Sequence, residues 1–509
     1  MTAGAGAASR RPATAVLAGC VALPAVAGAA AVLGFAPFYA WPVPIAALAV
    51  LFLAWRRCAT AGRAAAAGFS FGLGLNLAGV SWVFVSLHEF GHMPAALAAL
   101  ATFLFCAYLA LFPAAAGWIV HRLGAGVGTL LAMPAAFVLM EWVRGWLFTG
   151  FPWLTLGYAQ VPGSPLAGFA PLLGAYGVSL AAALLAALLA DFAASRSQRR
   201  RRLLLATAFA ALLAAGGLLR AVAWTAPSGP AVPVALLQGN VPQHLKWREE
   251  VRARTLFDYH RQVVASDARV VVLPETALPA FLDTLPPGYL DSLREHAQAR
   301  GKDILIGSVE RVPAAGGSRY FNSVVTLGAS GPQSYRKRHL VPFGEFIPPG
   351  FGWILAVLKI PLTDFARGDA DQPPLAAGGT AWAVAICYED IFGEEVIAAL
   401  PQAAVLLNVS NDAWFGRSLA ADQHLQFSQM RALETGRWMV RATNTGVTAA
   451  IDERGRVTAV LPQFSPGSLR VSPVPRAGAT PFVHVGNHAA LALLAALLAA
   501  AFLRRRTGR

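Results

Sequence analysis

The stretch VVVLPETALP, residues 270–279, starts with four consecutive apolar residues and then turns polar. Such a run of branched apolar residues is typical of a strand that is buried on both faces. Glu275 follows this predicted strand directly. In α/β proteins, reactive side chains gather at the rim of the sheet, where buried strands end. The stretch therefore predicts an α/β domain with Glu275 at its functional rim.

Two later stretches have related features. YRKRHLVPFGEF, residues 335–346, places Lys337 and Glu345 in a predicted loop. VAICYED, residues 384–390, places Cys387 at the end of another predicted strand. A carboxylate, an ammonium and a thiol therefore all lie near predicted strand ends.

The surrounding segment, residues 231–486, alternates short apolar strands with more polar helices. Continuous Val, Ile and Leu strands between helices indicate buried sheets and hence an α/β domain. The predicted strands are 233–238, 269–273, 303–309, 323–327, 382–387, 404–409, 439–443 and 447–452, and the predicted helices are 243–266, 287–300, 391–399 and 421–436.

The flanks of this segment are strongly apolar. The whole chain is 56% hydrophobic and only 13% charged, whereas a soluble domain has about 25% charged residues. A bilayer core needs roughly 20 apolar residues in a helix. We therefore predict a bundle of eight membrane spans, seven in residues 1–221 and one in 486–509, around an outer domain at 222–485. The apolar runs are 14–34, 42–55, 65–86, 95–120, 126–146, 165–190, 203–221 and 486–503.

The charge distribution supports a membrane protein and argues against nucleic-acid binding. Residues 1–230 contain 13 Lys and Arg but only 3 Asp and Glu, and residues 487–509 contain 4 Arg and no acid. The middle segment is nearly neutral, with 24 basic and 23 acidic residues. The Arg clusters fall in every second predicted loop, as expected of cytoplasmic loops. Both termini are then cytoplasmic, and the middle domain lies outside.

Glu275, Lys337 and Cys387 together form a complete set for acyl transfer. A carboxylate can take the proton of a thiol, and an ammonium can stabilise the oxyanion that forms when the thiol attacks a carbonyl. Taken singly, each has a simpler explanation: a solvated rim residue, a surface charge or a buried apolar cysteine. Cys387 is, however, the only cysteine of the predicted outer domain.

The order of these residues resembles the nitrilase or carbon–nitrogen hydrolase superfamily. PET, YRKRHLVPFGE and CYED follow one another, with 62 residues from Glu275 to Lys337 and 50 from Lys337 to Cys387. The resemblance covers about residues 231–470. It implies an αββα sandwich with a catalytic Glu–Lys–Cys triad at these three positions.

Further strings, together with the predicted spans, narrow the resemblance to the apolipoprotein N-acyltransferase family. This resemblance implies additional residues needed for activity, namely Trp247, Asn322, Glu345, Tyr388, Glu389, Asn411 and Trp414. Core packing remains an alternative role for the two tryptophans. The strings are GVSWVFVSL (79–87), GFPWLTLGYAQ (150–160), GNVPQHLKW (239–247), HLVPFGEF (339–346), SNDAWFG (410–416) and MRALETGR (430–437).

The supporting residues also have roles that follow from their chemistry. Carboxylates at Glu345 and Glu389 would keep Lys337 charged and oriented. The backbone N–H of Tyr388, next to the nucleophile, would help to stabilise an oxyanion.

The family resemblance implies a ping-pong reaction in a bacterial inner membrane. Cys387 takes an acyl chain from a phospholipid donor and passes it to the α-amine of a diacylglyceryl apolipoprotein on the periplasmic side. The sequence contains neither a metal-ligand cluster nor a Gly-rich phosphate loop, so we expect no cofactor and no metal. Two alternatives stay open: a membrane-anchored amidase that passes the acyl group to water, and a transporter or scaffold with an inert domain.

The segment 343–362, FGEFIPPGFGWILAVLKIPL, is too apolar for an exposed loop and too short to span a bilayer. Because it begins beside Glu345, we predict a lid that dips into the membrane surface and admits lipid. An ordinary buried loop is the alternative.

Overall fold

The computed structural model describes residues 18–124, 129–314, 317–348, 350, 352 and 364–507. Each of the eight predicted apolar runs contains a helix. The long helices of this part of the chain are Leu23–Ala31, Pro42–Arg57, Ala61–Gly79, Ala95–Leu123, Thr129–Arg144, Ala170–Ala194, Arg199–Leu219 and His488–Thr507.

A helical membrane region is confirmed, but eight spans are not. Within the described residues, four helices are long and apolar enough to cross a membrane, and a pair bent by 58° would make a fifth. Pro42–Arg57 has only 16 residues, fewer than the roughly 20 that a bilayer core requires. The four candidates are Ala95–Leu123, Pro165–Ala194, Arg199–Leu219 and His488–Arg505, and the bent pair is Ala61–Gly79 with Val83–Phe90.

Small residues allow the helices to pack backbone against backbone. A Cβ atom at Gly68 would lie 2.1 Å from the carbonyl oxygen of Pro113, and one at Gly74 would lie 2.1 Å from that of Ala25. Both distances are impossible for real atoms, so only glycine fits. Close approach at small residues is how membrane helices gain packing contacts without a hydrophobic driving force.

The middle segment folds into two six-stranded sheets and a two-stranded one. The strands of this segment are β1 Ala226–Pro227, β2 Val234–Gln238, β3 Val270–Leu273, β4 Asp303–Ala314, β5 Gly317–Gly328, β6 Ser334–Arg336, β7 Leu375–Ala377, β8 Thr380–Ile386, β9 Val405–Ser410, β10 Met439–Thr443, β11 Thr448–Ile451, β12 Val457–Leu461, β13 Gly467–Val471 and β14 Arg476–Ala477. One large sheet has the strand order β13-β2-β3-β4-β5-β6, and the other has β12-β11-β10-β9-β8-β7.

The centre of each large sheet is parallel. Strands β2, β3 and β4 run in parallel in one sheet, and β8, β9 and β10 in the other. Their apolar side chains meet between the sheets, where Leu236, Val272, Trp382 and Leu407 are fully buried. Parallel strands align their carboxyl ends, so the residues that follow β3, β8 and β9 collect at one end of the sandwich.

Helices cover the outer face of each sheet, which completes the predicted αββα sandwich. Glu249–Ala265 and Tyr289–Ala299 pack on the first sheet, and Gly393–Val396 and Ala420–Thr435 pack on the second. The predicted helix 243–266 begins six residues late because residues 243–247 form a turn. The predicted helix 391–399 is split into two short pieces.

The helix Ala420–Thr435 connects the sandwich to the membrane helices. Its side chains are buried on all sides, although many of them are polar. Phe427 and Met430 belong to the same apolar cluster as the membrane helices. Gln423 accepts a hydrogen bond from the indole N–H of Trp153 at 2.6 Å and donates one to the carbonyl of Gly79 at 3.1 Å. The sandwich therefore docks directly on the helical region.

Candidate active site

Cys387 is the first residue after β8, and its backbone is left-handed, with a φ of 54°. This conformation is uncommon for a residue other than glycine and needs support from its surroundings. The carbonyl of Cys387 accepts two hydrogen bonds, from Nδ2 of Asn408 at 3.0 Å and from Nε2 of His424 at 3.1 Å. The half-buried Cys387 is thus presented on a turn that is fixed from behind.

Glu275 lies two residues after β3 and is buried. Its Oε1 accepts a hydrogen bond from Nδ2 of Asn322 at 2.7 Å, and its Oε2 accepts one from the backbone N–H of Asn411 at 2.8 Å. Both donors are neutral. The carboxylate is therefore oriented by two uncharged groups.

Lys337 is the first residue after β6 and is almost fully buried. Its Nζ lies 2.9 Å from Oε1 and 2.8 Å from Oε2 of Glu345, and 3.8 Å from Oε1 of Glu275. Burial acts to lower the pKa of Lys337, but the carboxylates of Glu345 and Glu275 outweigh it and raise that pKa above its ordinary value. Lys337 is therefore a buried ammonium held between two carboxylates.

Asn322, on β5, links the two carboxylates. Its Nδ2 donates to Glu275 and also to Oε1 of Glu345 at 2.9 Å. Within the described part of the chain, its Oδ1 is buried and has no hydrogen-bond partner. We call Glu275, Asn322, Lys337 and Glu345 the front cluster.

The thiol of Cys387 is protonated at rest. Burial raises its pKa well above the ordinary value, and the charge of Glu275 adds to this effect, while Lys337 and a hydrogen bond to Ser410 oppose it. A thiol with a raised pKa needs a base at the moment of attack. The front cluster offers Glu275 as that base.

Glu389 braces the loop of Lys337 against the turn of Cys387. Its Oε1 accepts the backbone N–H of Arg338 at 2.7 Å, and its Oε2 accepts that of Ile386 at 2.7 Å. Burial raises the pKa of Glu389 to about 7. Glu345 thus contacts the Lys337 ammonium directly, whereas Glu389 contacts the backbone on either side of the site.

The three predicted aromatic residues lie in different places. Tyr388 donates from its hydroxyl to the carbonyl of Gly150 at 3.0 Å and packs in the apolar cluster of the membrane helices. The carbonyl of Trp414 accepts a hydrogen bond from Ser86 at 2.8 Å. Trp247 is 38% exposed, so core packing does not account for it.

Lys246, one residue before Trp247, was not predicted from the sequence. It is buried and donates to the hydroxyl of Thr276 at 2.6 Å and to the carbonyl of Glu275 at 3.5 Å. Burial lowers the pKa of Lys246 to about 8, and the charge of Glu275 opposes the shift. The polar string GNVPQHLKW contained it, but nothing in that string indicates burial.

A second group of charges, which the sequence also did not predict, lies behind Cys387. His424 sits between two aspartates, with its Nδ1 2.9 Å from Oδ1 of Asp412 and its Nε2 3.0 Å from Oδ1 of Asp390. Arg441 on β10 lies 3.0 Å from Asp390 and 3.4 Å from Asp412. We call these four fully buried residues the rear cluster.

The apolar lid predicted at 343–362 lies mostly outside the described residues, because 349, 351 and 353–363 are not among them. Its first residues are described, and the carboxylate of Glu345 accepts the backbone N–H of Val341 at 2.8 Å. Among the residues that the structure describes, no group of three His, Cys, Asp or Glu side chains could hold a metal ion.

An αββα sandwich with Glu, Lys and Cys at adjoining strand ends defines a carbon–nitrogen hydrolase domain, here docked on membrane helices. Family models agree: residues 233–479 match the carbon–nitrogen hydrolase model, and residues 27–188 match the model of the apolipoprotein N-acyltransferase N-terminal domain. The chain belongs to the apolipoprotein N-acyltransferase family.

Relatives across nearly the whole chain support this assignment. The apolipoprotein N-acyltransferase of Nitrosomonas europaea is 53% identical over 95% of this chain and 97% of its own length. That of Methylococcus capsulatus is 47% identical over 93% of this chain and 94% of its own. Among solved structures, the NitFhit protein of C. elegans covers 53% of this chain and 63% of its own, with 15% identity and a TM-score of 0.38.

Proposed function

We propose that this chain moves an acyl chain from a phospholipid to the α-amine of the N-terminal diacylglyceryl-cysteine of a lipoprotein, through a thioester on Cys387. This proposal rests on one observation. A thiol, a carboxylate with neutral hydrogen-bond donors and a buried ammonium lie at one end of a sandwich that contacts membrane helices. Glu275 and Lys337 both act electrostatically on the thiol.

The first half-reaction forms the acyl-enzyme. Glu275 takes the proton of the Cys387 thiol as Sγ attacks the ester carbonyl of the phospholipid. The carbon–oxygen bond then breaks, and the lysophospholipid alkoxide leaves with the proton that Glu275 returns. In the second half-reaction the lipoprotein amine attacks the thioester carbonyl and gives a proton to Glu275. The carbon–sulfur bond then breaks, the Cys387 thiolate regains that proton from Glu275, and the N-acylated lipoprotein leaves.

The oxyanion of each tetrahedral intermediate needs fixed positive groups. Lys337 supplies an ammonium whose two contacts with Glu345 orient it before the reaction. Donors that are already oriented cost no reorganisation when charge develops, which is why such groups dominate many rate enhancements. The backbone N–H of Tyr388 is a second donor candidate, because it adjoins the nucleophile.

A row of contacting aromatic rings favours a lipid as the acyl donor. Tyr388 stacks on Phe151 with ring centroids 6.4 Å apart, and Phe151 contacts Phe105 of the helix Ala95–Leu123 at 5.0 Å. On the same helix, Phe103 and Leu104 are exposed. An apolar route therefore leads from the outside of a candidate membrane helix to the residue after the nucleophile. Such a route suits an acyl chain better than a small polar amide.

The proposed topology has eight spans with both termini in the cytoplasm. Residues 1–221 and 486–509 form the membrane part, and residues 222–485 form the periplasmic catalytic domain of an inner-membrane protein. Arg clusters in alternate loops support this orientation. A cysteine introduced at position 230 should be labelled from outside by an impermeant thiol reagent, and one at position 197 only from inside. The reverse pattern would overturn the orientation.

The function is tested by intact mass of the purified protein after incubation with phospholipid. We expect the wild type to gain one acyl group on Cys387, and Cys387→Ser to gain none, because a serine hydroxyl ionises far less readily than a thiol. Cys106→Ser is the matched control, since Cys106 is buried in a membrane helix.

Adding a diacylglyceryl peptide should discharge the acyl group onto the peptide amine. Acyl transfer to water at the same rate with and without the peptide would instead indicate a hydrolase. A wild type that gains no acyl group from any phospholipid would refute the proposal.

A further inference from the structure

His424 has an unusual environment for a histidine next to an active-site turn. It lies on the helix Ala420–Thr435, is buried, and has a carboxylate at each ring nitrogen. Its Nε2 is also 3.1 Å from the carbonyl oxygen of Cys387. One imidazole therefore contacts two aspartates and the backbone of the residue that carries the thiol.

The geometry requires both ring nitrogens to carry protons. An ionised carboxylate only accepts hydrogen bonds, as does a backbone carbonyl. Nδ1 must donate to Asp412, and Nε2 must donate to Asp390 and the carbonyl of Cys387. The ring is then an imidazolium, and His424 and Arg441 together balance the two aspartates.

The two aspartates decide the charge of the His424 ring. Burial and the charge of Arg441 act to lower the pKa of His424, but the two aspartates outweigh them and raise it to about 9. Ser428, one turn along the same helix, donates to Asp390 and adds no charge. Arg441 also acts on the ring from the sandwich, and Cys387, Asp422, Arg431 and Tyr158 each interact electrostatically with Asp390 or Asp412.

We propose that His424 is a positioning residue for the nucleophile: its imidazolium fixes the turn of Cys387 through the carbonyl and neutralises the carboxylates buried behind the thiol. This inference rests on the proposed role of Cys387. Without the imidazolium, Asp390 and Asp412 would face one arginine, and the rear cluster would carry a net negative charge. A negative charge near the thiol disfavours both the thiolate and the oxyanion.

The role predicts opposite effects from two neutralising substitutions. His424→Gln removes a positive charge and should raise the apparent pKa of Cys387, which slows alkylation by iodoacetamide at pH 7 by about tenfold. Asp412→Asn removes a negative charge and should lower that pKa and speed alkylation. The double variant restores neutrality and should be close to wild type.

The measurement is the pH profile of alkylation of the Cys387 peptide, read by mass spectrometry in the full-length protein. Ser428→Ala is the control, because it removes hydrogen bonds from the same aspartate without changing charge. If His424→Gln does not fold, Asp412→Asn and the double variant still show the direction in which the apparent pKa of Cys387 shifts.

The proposal would fail if the apparent pKa of Cys387 shifted in the same direction in both single variants and by no more than in Ser428→Ala. That result would show that the rear cluster only packs against the turn of Cys387. Equal profiles in all variants would also refute it. Alkylation needs no lipid, so a wild type that takes no acyl group from phospholipid would refute the proposed function alone.

Discussion

The front and rear clusters each contain two buried carboxylates near Cys387, but the partners of these carboxylates differ. The carboxylate of Glu275, in the front cluster, accepts hydrogen bonds from neutral amides, and the ammonium of Lys337 lies 3.8 Å from it. Asp390 and Asp412, in the rear cluster, accept directly from His424 and Arg441. Burial acts to raise the pKa of both aspartates, but these cations outweigh it and lower it.

This difference suits Glu275 to proton transfer and the two rear aspartates to the role of fixed charges. A general base must be able to bind a proton near neutral pH, and direct contact with two cations prevents this. The rear aspartates are therefore unsuited to act as the base. Glu275, whose carboxylate accepts hydrogen bonds from uncharged donors, is left as the proposed base.

The largest effect should come from disturbing the one direct ion pair of the front cluster. Glu345→Gln keeps the shape of the side chain but removes the charge that holds Lys337. We expect the rate of acyl-enzyme formation at saturating phospholipid to fall by roughly a hundredfold, the cost of losing one well-placed oxyanion donor. The KM for phospholipid should change little, because Glu345 stabilises the intermediate through Lys337.

Glu310→Gln is the matched control for this prediction. Glu310 is also paired with a cation of the same sheet, Arg336 at 2.8 Å, but its partner is not Lys337. Its rate should stay within a factor of about two. Equal losses in the two variants would mean that the sheet, and not the ammonium, was disturbed.

A smaller effect should come from Lys246, which adds a second cation to the front cluster. Its pKa is lowered to about 8, so it is charged at pH 7 and loses its charge as the pH rises through 8. The wild-type acylation rate should then decline above pH 8, because the cluster becomes more negative beside the thiol. Lys246→Met should be slower by about tenfold at pH 7 and lack this alkaline decline.

Lys302→Met is the control for Lys246. Lys302 is another buried lysine of the sandwich with a lowered pKa, and it donates to the carbonyl of Ser266. Its removal should leave the pH profile of acylation intact. A profile that changes in both variants would exclude a specific role of Lys246.

Glu275 and Cys387 were predictable from sequence because each lies at the end of a buried strand. Glu275 comes directly after an unbroken apolar run, and Cys387 ends another, so their positions at the rim follow from local pattern alone. The rear cluster has no such signal. His424 and Arg441 lie inside a helix and a strand and meet the two aspartates only through tertiary packing.

The errors in the fold have a similar origin. Continuous apolar runs mark the central strands but not β12 and β13, whose side chains are exposed or half-buried. These are edge strands that are covered on one face only. In the membrane region, the apolar runs locate the long helices of the described residues but do not fix their lengths, because helix ends depend on packing and loops as much as on hydropathy.

The smallest effect concerns stability and tests the rear cluster as a set of fixed ions. The folded-state pKa of His424, about 9, lies above its unfolded value of about 6.5. A raised histidine pKa contributes stability that is fully present below pH 6.5 and is lost as the pH rises through 9. We expect the melting temperature in detergent to fall between pH 6 and pH 10, by roughly 5 °C more in the wild type than in the double variant His424→Gln/Asp412→Asn. The difference between the two isolates the titration of His424 from that of other groups, such as Lys246, that both proteins share.

Ser428→Ala should keep the wild-type dependence on pH, since it removes no charge. Identical pH dependence in the wild type and the double variant would show that His424 does not carry the charge, and the contrast between a proton-accepting front and an ionic rear would no longer hold.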